Sequence, residues 1–182
     1  MRSLFDSDWG FQVKSSSLEG GDIMDYKIEK KCALTFIGYK KKFTGDLQER
    51  FEQERDFWVN TRKEQDVLME ICKEPFIWYD INTNFSDDGY DHYIAVQSNK
   101  DAIEGFDKIT VPELTYAIFE TKRMDYPTLA HLDLRKKIVS EWLLSSEYLL
   151  AEGPEIVVTH WFKKPDRDKR FIELWIPIEK KN

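Results

Sequence analysis

The sequence predicts an α+β fold built from two β-α-β-β halves, with antiparallel sheets, helices on one face and a ligand cleft between the halves. The order strand, helix, strand, strand occurs twice along the chain, which indicates an internal duplication. The run Leu34-Thr35-Phe36 recurs as Leu114-Thr115-Tyr116, and Tyr93 corresponds to Glu173 at the same spacing along the chain. The halves are therefore expected to be related by a pseudo-twofold axis.

Residues 1–23 differ in composition from the rest of the chain. They contain one strand-like run, at 9–14, followed by serine and glycine runs that favour a flexible connection. The repeated pattern begins after them. We therefore predict a linker-like segment at 1–23 and one domain at 24–182, with halves at about 24–99 and 106–180.

The first half begins with a strand-like stretch that leads into a long helix. Residues 26–43 are rich in aromatic and β-branched side chains and predict one long strand, bent at Gly38. Asp46 opens a capping-box pattern, and the apolar stripe after it predicts a helix over about 46–72, or two helices broken near Asn60. Two strands complete this half, at 76–82 and 90–98.

The second half repeats these elements in the same order. A strand, a helix and two further strands with turn-forming residues between them follow the connection between the halves. The predicted segments are strand 108–122, helix 127–144, and strands 155–162 and 170–179.

The charge and composition exclude several classes of partner. The net charge of −7 opposes direct contact with nucleic acid, because phosphate binding requires clustered Lys and Arg. Any DNA contact is expected to come from a separate DNA-binding region that this sequence does not contain. No stretch approaches the roughly 18 apolar residues of a membrane span, so we expect no membrane partner. Two isolated cysteines, Cys32 and Cys72, fit a cytoplasmic protein.

Patterns for metal or cofactor chemistry are missing from the sequence. His92, His131 and His160 lie far apart and lack H-E-x-x-H spacing, so each is interpreted as a surface or hydrogen-bonded histidine. There is no G-x-S-x-G elbow, P-loop or G-x-G-x-x-G motif. We predict no metal and no cofactor.

Several segments together carry a resemblance to a known family. They are 24–31 leading to Phe36-Ile37-Gly38, Tyr93-Ile94-Ala95-Val96, Val111-Pro112 before Tyr116-Ala117-Ile118-Phe119, Glu141-Trp142-Leu143, and Glu173-Leu174-Trp175-Ile176-Pro177-Ile178. On these residues the chain resembles the GyrI-like effector-binding domains found in AraC-type and MerR-type multidrug regulators, over about residues 24–179. The last segment is the most specific.

The last predicted strand offers a candidate ligand-facing acid. Alternation places Phe171, Glu173 and Trp175 on one face and aliphatic residues on the other, so the aliphatic face should meet the helices and Glu173 should face the cleft. A carboxylate between two aromatic side chains favours a cationic partner. The alternative is a glutamate paired with a Lys or Arg of a neighbouring strand. The resemblance favours the ligand role.

Aromatic side chains are predicted to form the walls of the cleft, because their rings attract lipophilic cations. For Trp58 and Trp142 a buried core role is an equal alternative, and for Trp161 it is the favoured interpretation. The nominated residues are Tyr93, Trp78, Tyr116, Trp58, Trp142, Trp161, Phe171 and Trp175.

The resemblance implies a small-molecule effector-binding domain of a bacterial transcription regulator, whose ligand is an aromatic or cationic drug-like compound. Two freestanding alternatives stay open. One is a hydrolase that detoxifies cyclopropane-bearing electrophiles, with Glu173 activating water. The other is a protein that shields a cellular target from toxins. An enzymatic role is therefore less expected than a binding role.

Overall fold

The computed structural model describes residues 12–16, 24–101 and 103–181, and these form one curved antiparallel sheet with helices on its outer face. The sheet order is β1-β2-β7-β10-β9-β4-β5-β3-β6, with β8 beside the end of β10. The strands are β1 (Gln12–Ser16), β2 (Met24–Lys31), β3 (Leu34–Thr44), β4 (Ile77–Ser86), β5 (Gly89–Gln97), β6 (Asp107–Val111), β7 (Leu114–Glu120), β8 (Tyr148–Leu150), β9 (Glu155–His160) and β10 (Phe171–Lys180).

The predicted duplication is confirmed by the register of the strands. In the first half β3 pairs with β5, placing Lys40 opposite Tyr93. In the second half β7 pairs with β10, placing Glu120 opposite Glu173. Lys40 and Glu120 are separated along the chain by the same interval as Tyr93 and Glu173. The two halves therefore share one architecture, as the repeated pattern indicates.

Each of the long strands predicted at the start of a half is two strands in the structure. Pro112 lies in the break between β6 and β7, where the missing N–H suits a gap in the ladder. The register nevertheless continues across the break, because Lys31 pairs with Leu114 and Leu34 pairs with Val111. β2 thus joins the second half and β6 joins the first. The two strand pairs β2–β3 and β6–β7 therefore form one continuous two-stranded ribbon. This ribbon links the two ends of the strand order, so the sheet curves back on itself.

The first helical segment is broken near Asn60, as predicted. Helix α1 (Leu47–Asn60) begins at a capping box, in which the Asp46 side chain accepts from the Glu49 N–H, and α2 (Arg62–Ile71) follows. In the second half α3 (Thr128–Lys137) continues as a π-helical turn (Ile138–Trp142) and a last α turn (Leu143–Ser145). A short 3₁₀ turn, Asp166–Lys169, precedes β10. Among the described residues, no helix has the length and apolar character needed to cross a membrane.

The two faces of the sheet carry separate cores. On the outer face, Ile172, Leu174 and Ile176 pack with Ile138 and Trp142, which confirms that the aliphatic face of β10 meets a helix. A second outer cluster lies under α1 and α2. The inner face is filled by its own side chains, among them Phe36, Tyr79, Tyr93, Tyr116 and Trp175. This inner cluster stays buried because the sheet curves around it.

Candidate functional site

A cavity of about 570 Å³ lies on the outer face of the sheet, between the helices of the two halves. Residues from α1 and α2 form one side, and Thr128 and His131 at α3 form the other. Its floor is made of β4, β9 and β10. Ligand pockets for small molecules have volumes of roughly 300–1,000 Å³. The cavity therefore has the size of a ligand pocket and lies between the halves, but it opens on the helix-bearing face, whereas the sequence placed the cleft on the Glu173 face.

The pseudo-twofold axis passes through the floor of this cavity. β4 and β9 are equivalent strands, because Tyr79 pairs with Ala95 of β5 and Ile156 pairs with Trp175, the equivalent residue of β10. Asp80 is then equivalent to Val157, and these two residues pair with each other. Both line the cavity. The carboxylate at the centre of the floor is therefore that of Asp80, and the equivalent residue across the axis is the apolar Val157.

Asp80 is held by two neighbours at the same oxygen. Trp58 Nε1 donates to Asp80 Oδ1 at 2.9 Å, and His92 Nε2 lies 3.1 Å from that oxygen. His92 is itself fixed, because its Nδ1 lies 2.7 Å from Asn82 Oδ1 and its ring stacks on Phe43. The Asp80 side chain is only 7% exposed. A buried carboxylate is costly unless it is paired, and both of these contacts fall on one oxygen, Oδ1.

Glu54 is a second acid at the cavity, contributed by α1. Its carboxylate forms no hydrogen bond or salt bridge with any described residue. Burial raises the pKa of Glu54 to about 7, and the charges of Asp80 and Glu155 act in the same direction, while His92 and Arg135 oppose them. Glu54 therefore exchanges its proton near neutral pH.

The Lys and Arg groups near the cavity contact residues other than Asp80 and Glu54, although Arg55, Arg62 and Lys163 keep their charges on its lining. Arg135 binds Glu155, with Nη1 2.7 Å from Oε1. Arg62 donates to Gln65, and Lys163 lies over the Phe76 ring. Burial lowers the pKa of His131 to about 4, so that this imidazole is neutral at physiological pH. Among the described residues, neither Asp80 nor Glu54 therefore has a Lys or Arg as a direct partner.

Three of the nominated tryptophans line the cavity: Trp58, Trp78 and Trp161. The Trp58 and Trp78 rings meet edge to face, with centroids 5.2 Å apart. The Trp161 ring packs against the Arg170 guanidinium, whose carbon lies 3.7 Å from the ring centroid. Trp161 is half-buried, so it combines the predicted core role with a place in the cavity wall. These rings offer π faces beside the two acids.

The structure places the other nominated residues away from this cavity. Trp142, at the end of the π-helical turn after α3, is buried against Tyr26 and Phe119. Glu173 lies on the inner face of the sheet, and the same alternation places Tyr93, Tyr116, Phe171 and Trp175 with it. The nominated set is thus divided between the two faces and the helix core.

Glu173 has protein partners of its own. Trp175 Nε1 donates to Glu173 Oε2 at 2.9 Å, and His160 Nε2 lies 3.8 Å from the same oxygen. Burial alone would raise the pKa of Glu173, but the nearby His160, the hydrogen bond from Trp175 and the charge of Lys27 lower it below its ordinary value. Its partner on the neighbouring strand is a histidine, where the pairing alternative named a Lys or Arg. Contact between Glu173 and a ligand stays a prediction.

Asp80 and Glu54 were not among the predicted site residues, although the sequence carries a signal for both. Asp80 lies two residues after Trp78 in a strand, so alternation places the acid and the indole on one face. Glu54 lies three residues after Phe51 and four before Trp58, which places it on the apolar stripe of its helix. An acid on an otherwise apolar face is therefore the pattern that identifies the site.

A duplicated β-α-β-β domain with an aromatic, acid-bearing cavity between its halves is the architecture of a GyrI-like effector-binding domain. Residues 27–178 match the Cass2 family, described as integron-associated effector binding proteins, and the chain belongs to this family. A comparison with curated proteins finds no match.

Solved structures share this fold at low sequence identity. SAV2435 bound to tetraphenylphosphonium has a TM-score of 0.69 at 18% identity, covering 86% of this chain and 94% of that protein. A putative transcription regulation protein from Staphylococcus aureus MU50 has a TM-score of 0.67 at 17% identity, covering 86% and 99%. The integron cassette protein VCH_CASS2 of Vibrio cholerae has a TM-score of 0.55 at 13% identity, covering 93% and 97%.

Proposed function

We propose that this effector-binding domain binds a lipophilic, cationic small molecule in the outer-face cavity, with Asp80 as the central counter-charge. The observation that carries the proposal is a buried carboxylate at the pseudo-twofold axis, beside Trp58 and Trp78. A lipophilic cation would bring a positive charge to this carboxylate, whose protein partners are the Trp58 indole and the His92 imidazole, and apolar surface for the tryptophans. Each well-placed ring adds roughly 0.5–2 kcal/mol to the binding of a cation. The tetraphenylphosphonium bound to SAV2435 is a ligand of this chemical class.

The ligand-bound state would then act on transcription through a DNA-binding region, supplied by a longer chain or by a partner. The net charge of −7 supports this division, since the described domain is unsuited to bind phosphates itself. The similarity to a putative transcription regulation protein supports the same role. For such coupling, the ligand must bind one of two conformational states more tightly than the other.

Tetraphenylphosphonium titrations of Asp80→Asn and Glu173→Gln test the proposal. Asparagine keeps an Oδ1 acceptor for Trp58 and removes only the charge, so we expect Asp80→Asn to weaken binding at least tenfold, about 1.4 kcal/mol. Glu173→Gln makes the same chemical change on the opposite face and should alter affinity less than about twofold. Tryptophan fluorescence and calorimetry measure both.

The reverse result would move the ligand to the inner face and support the role predicted for Glu173. Mass analysis of the recovered compound separates binding from turnover. Intact ligand is expected, whereas a hydrated product from an electrophilic test compound would indicate a hydrolase.

A further inference from the structure

Glu54 is a cavity acid without a direct partner among the described residues, although Arg55, Arg62 and Lys163 also line the cavity. Asp80 lies beside His92, and Glu155 takes both contacts of Arg135, at 2.7 and 3.1 Å. Glu54 faces the same space without a hydrogen bond or salt bridge to any described residue. The titratable and charged groups around it are Asp80 (β4), Tyr90 and His92 (β5), Arg135 (α3) and Glu155 (β9), and the cavity lining adds Arg62 and Asp66 (α2), His131 (α3) and Lys163.

A third carboxylate in this setting has two ways to avoid an uncompensated negative charge. It binds a proton, or it ionises beside a cation that enters the cavity. Because the proton and the cation both compensate the Glu54 carboxylate, the two compete with each other for it. The raised pKa of Glu54, about 7, places this competition in the physiological range.

We propose that the cavity exchanges a proton for its ligand: Glu54 is protonated in the empty domain and releases that proton to solvent when a cation binds. The inference rests on the proposed function and adds a regulatory property to it. Cation affinity then falls as the pH falls, whereas the affinity of a neutral ligand does not. His131 contributes little above about pH 5.5, because its pKa of about 4 keeps it neutral there.

Tetraphenylphosphonium is the probe for this exchange, because it carries no titratable group and every released proton must come from the protein. Calorimetry in phosphate and in Tris, whose ionisation enthalpies differ, gives the number of protons released. With a pKa of about 7, we expect about half a proton at pH 7. Affinity should be about thirtyfold higher at pH 8 than at pH 5.5, if the bound cation keeps Glu54 ionised throughout.

Two variants assign the proton. Glu54→Gln is expected to bind with an affinity that changes less than about twofold over this pH range and to release no proton. Glu52→Gln, an exposed acid of the same helix that pairs with Gln48, should behave like the wild type. Triphenylphosphine oxide, a neutral phosphorus compound, should show no pH dependence in any of the three proteins.

The outcomes separate this inference from the proposed function. Binding of tetraphenylphosphonium with a pH-independent affinity and no proton release in the wild type would overturn the exchange and leave the binding function intact. If Glu54→Gln released as many protons as the wild type, the assignment of the proton to Glu54 would be overturned. Failure to bind the cation at any pH would overturn both.

Discussion

Acids lie beside tryptophans on both faces of the sheet, but Glu54 on the outer face lacks the partners that Asp80 and Glu173 have. On the outer face, Asp80 and Glu54 lie beside tryptophans that line an open cavity. On the inner face, Glu173 lies beside Trp175 and His160 within a surface that is filled by its own side chains. The acid of the inner face has its donors in place, whereas one acid of the outer face has none among the described residues.

The difference comes from the fold and not from residue type. An acid flanked by aromatic side chains has the same local chemistry on either face. The inner face is closed by the ribbon that curves the sheet, so its polar groups must be satisfied within the protein. The outer face is held apart by helices from two halves, which leaves a cavity at the pseudo-twofold axis. The predictions below test this division.

The largest expected effect comes from removing aromatic side chains on each face. Trp175 is 6% exposed and contacts Tyr79 and Tyr116, so Trp175→Ala should lower the free energy of unfolding by about 3–5 kcal/mol. Trp161 is half-buried in the cavity wall, so Trp161→Ala should cost no more than about 2 kcal/mol. Urea denaturation measures both values.

Ligand affinity should fall more in Trp161→Ala than in Trp175→Ala, which is the opposite of the order expected for stability. Trp161→Ala removes a cavity ring and should weaken tetraphenylphosphonium binding about fivefold, as expected for one cation–π contact of about 1 kcal/mol. An equal loss of stability in Trp175→Ala and Trp161→Ala would show that side chains of the inner face stabilise the fold no more than those of the cavity wall.

The sequence predicted the architecture more fully than the site. The element order and the constant spacing between matching residues were sufficient for the duplicated halves, because each half repeats a local pattern. The cavity acids depend on which face of the curved sheet stays open, and this is decided by contacts between strands far apart in sequence. Alternation placed Glu173 correctly opposite the aliphatic face of β10, but it contains no information on whether His160 and Trp175 would satisfy it.

The second prediction concerns the pH dependence of stability. The pKa of Glu54 is raised from 4.5 to about 7 in the folded state, so its contribution favours folding below pH 4.5 and is lost as the pH rises through 7. The pKa of His131 is lowered from 6.5 to about 4, so its contribution is lost as the pH falls through that interval. In the wild type the two slopes oppose each other between about pH 4.5 and 6.5.

Replacing either residue alone should leave the pH dependence of stability that the other residue causes. Glu54→Gln should raise the free energy of unfolding by about 3 kcal/mol at pH 8 and leave it unchanged at pH 4, so the variant becomes sensitive to acid. His131→Gln should become sensitive to rising pH up to about 7. Chemical denaturation across this range measures the slopes, and parallel curves for the two variants would contradict the opposition of Glu54 and His131.

The smallest effect is expected at Glu173, where the comparison between the faces is most direct. Its lowered pKa means that the ionised carboxylate stabilises the folded state above about pH 4.5 and that this contribution is lost as the pH falls further. Glu173→Gln keeps an oxygen acceptor for Trp175 and removes the charge beside His160, so we expect a loss of about 1 kcal/mol at neutral pH. The loss should shrink as the pH falls below the ordinary pKa of a glutamate, because the wild-type carboxylate then gains a proton. A larger loss that persists in acid would mean that Glu173 acts through packing. A stability gain, like the one expected for Glu54→Gln, would mean that the inner face also holds an acid in need of a cation, and the division between a satisfied face and a ligand-binding face would fail.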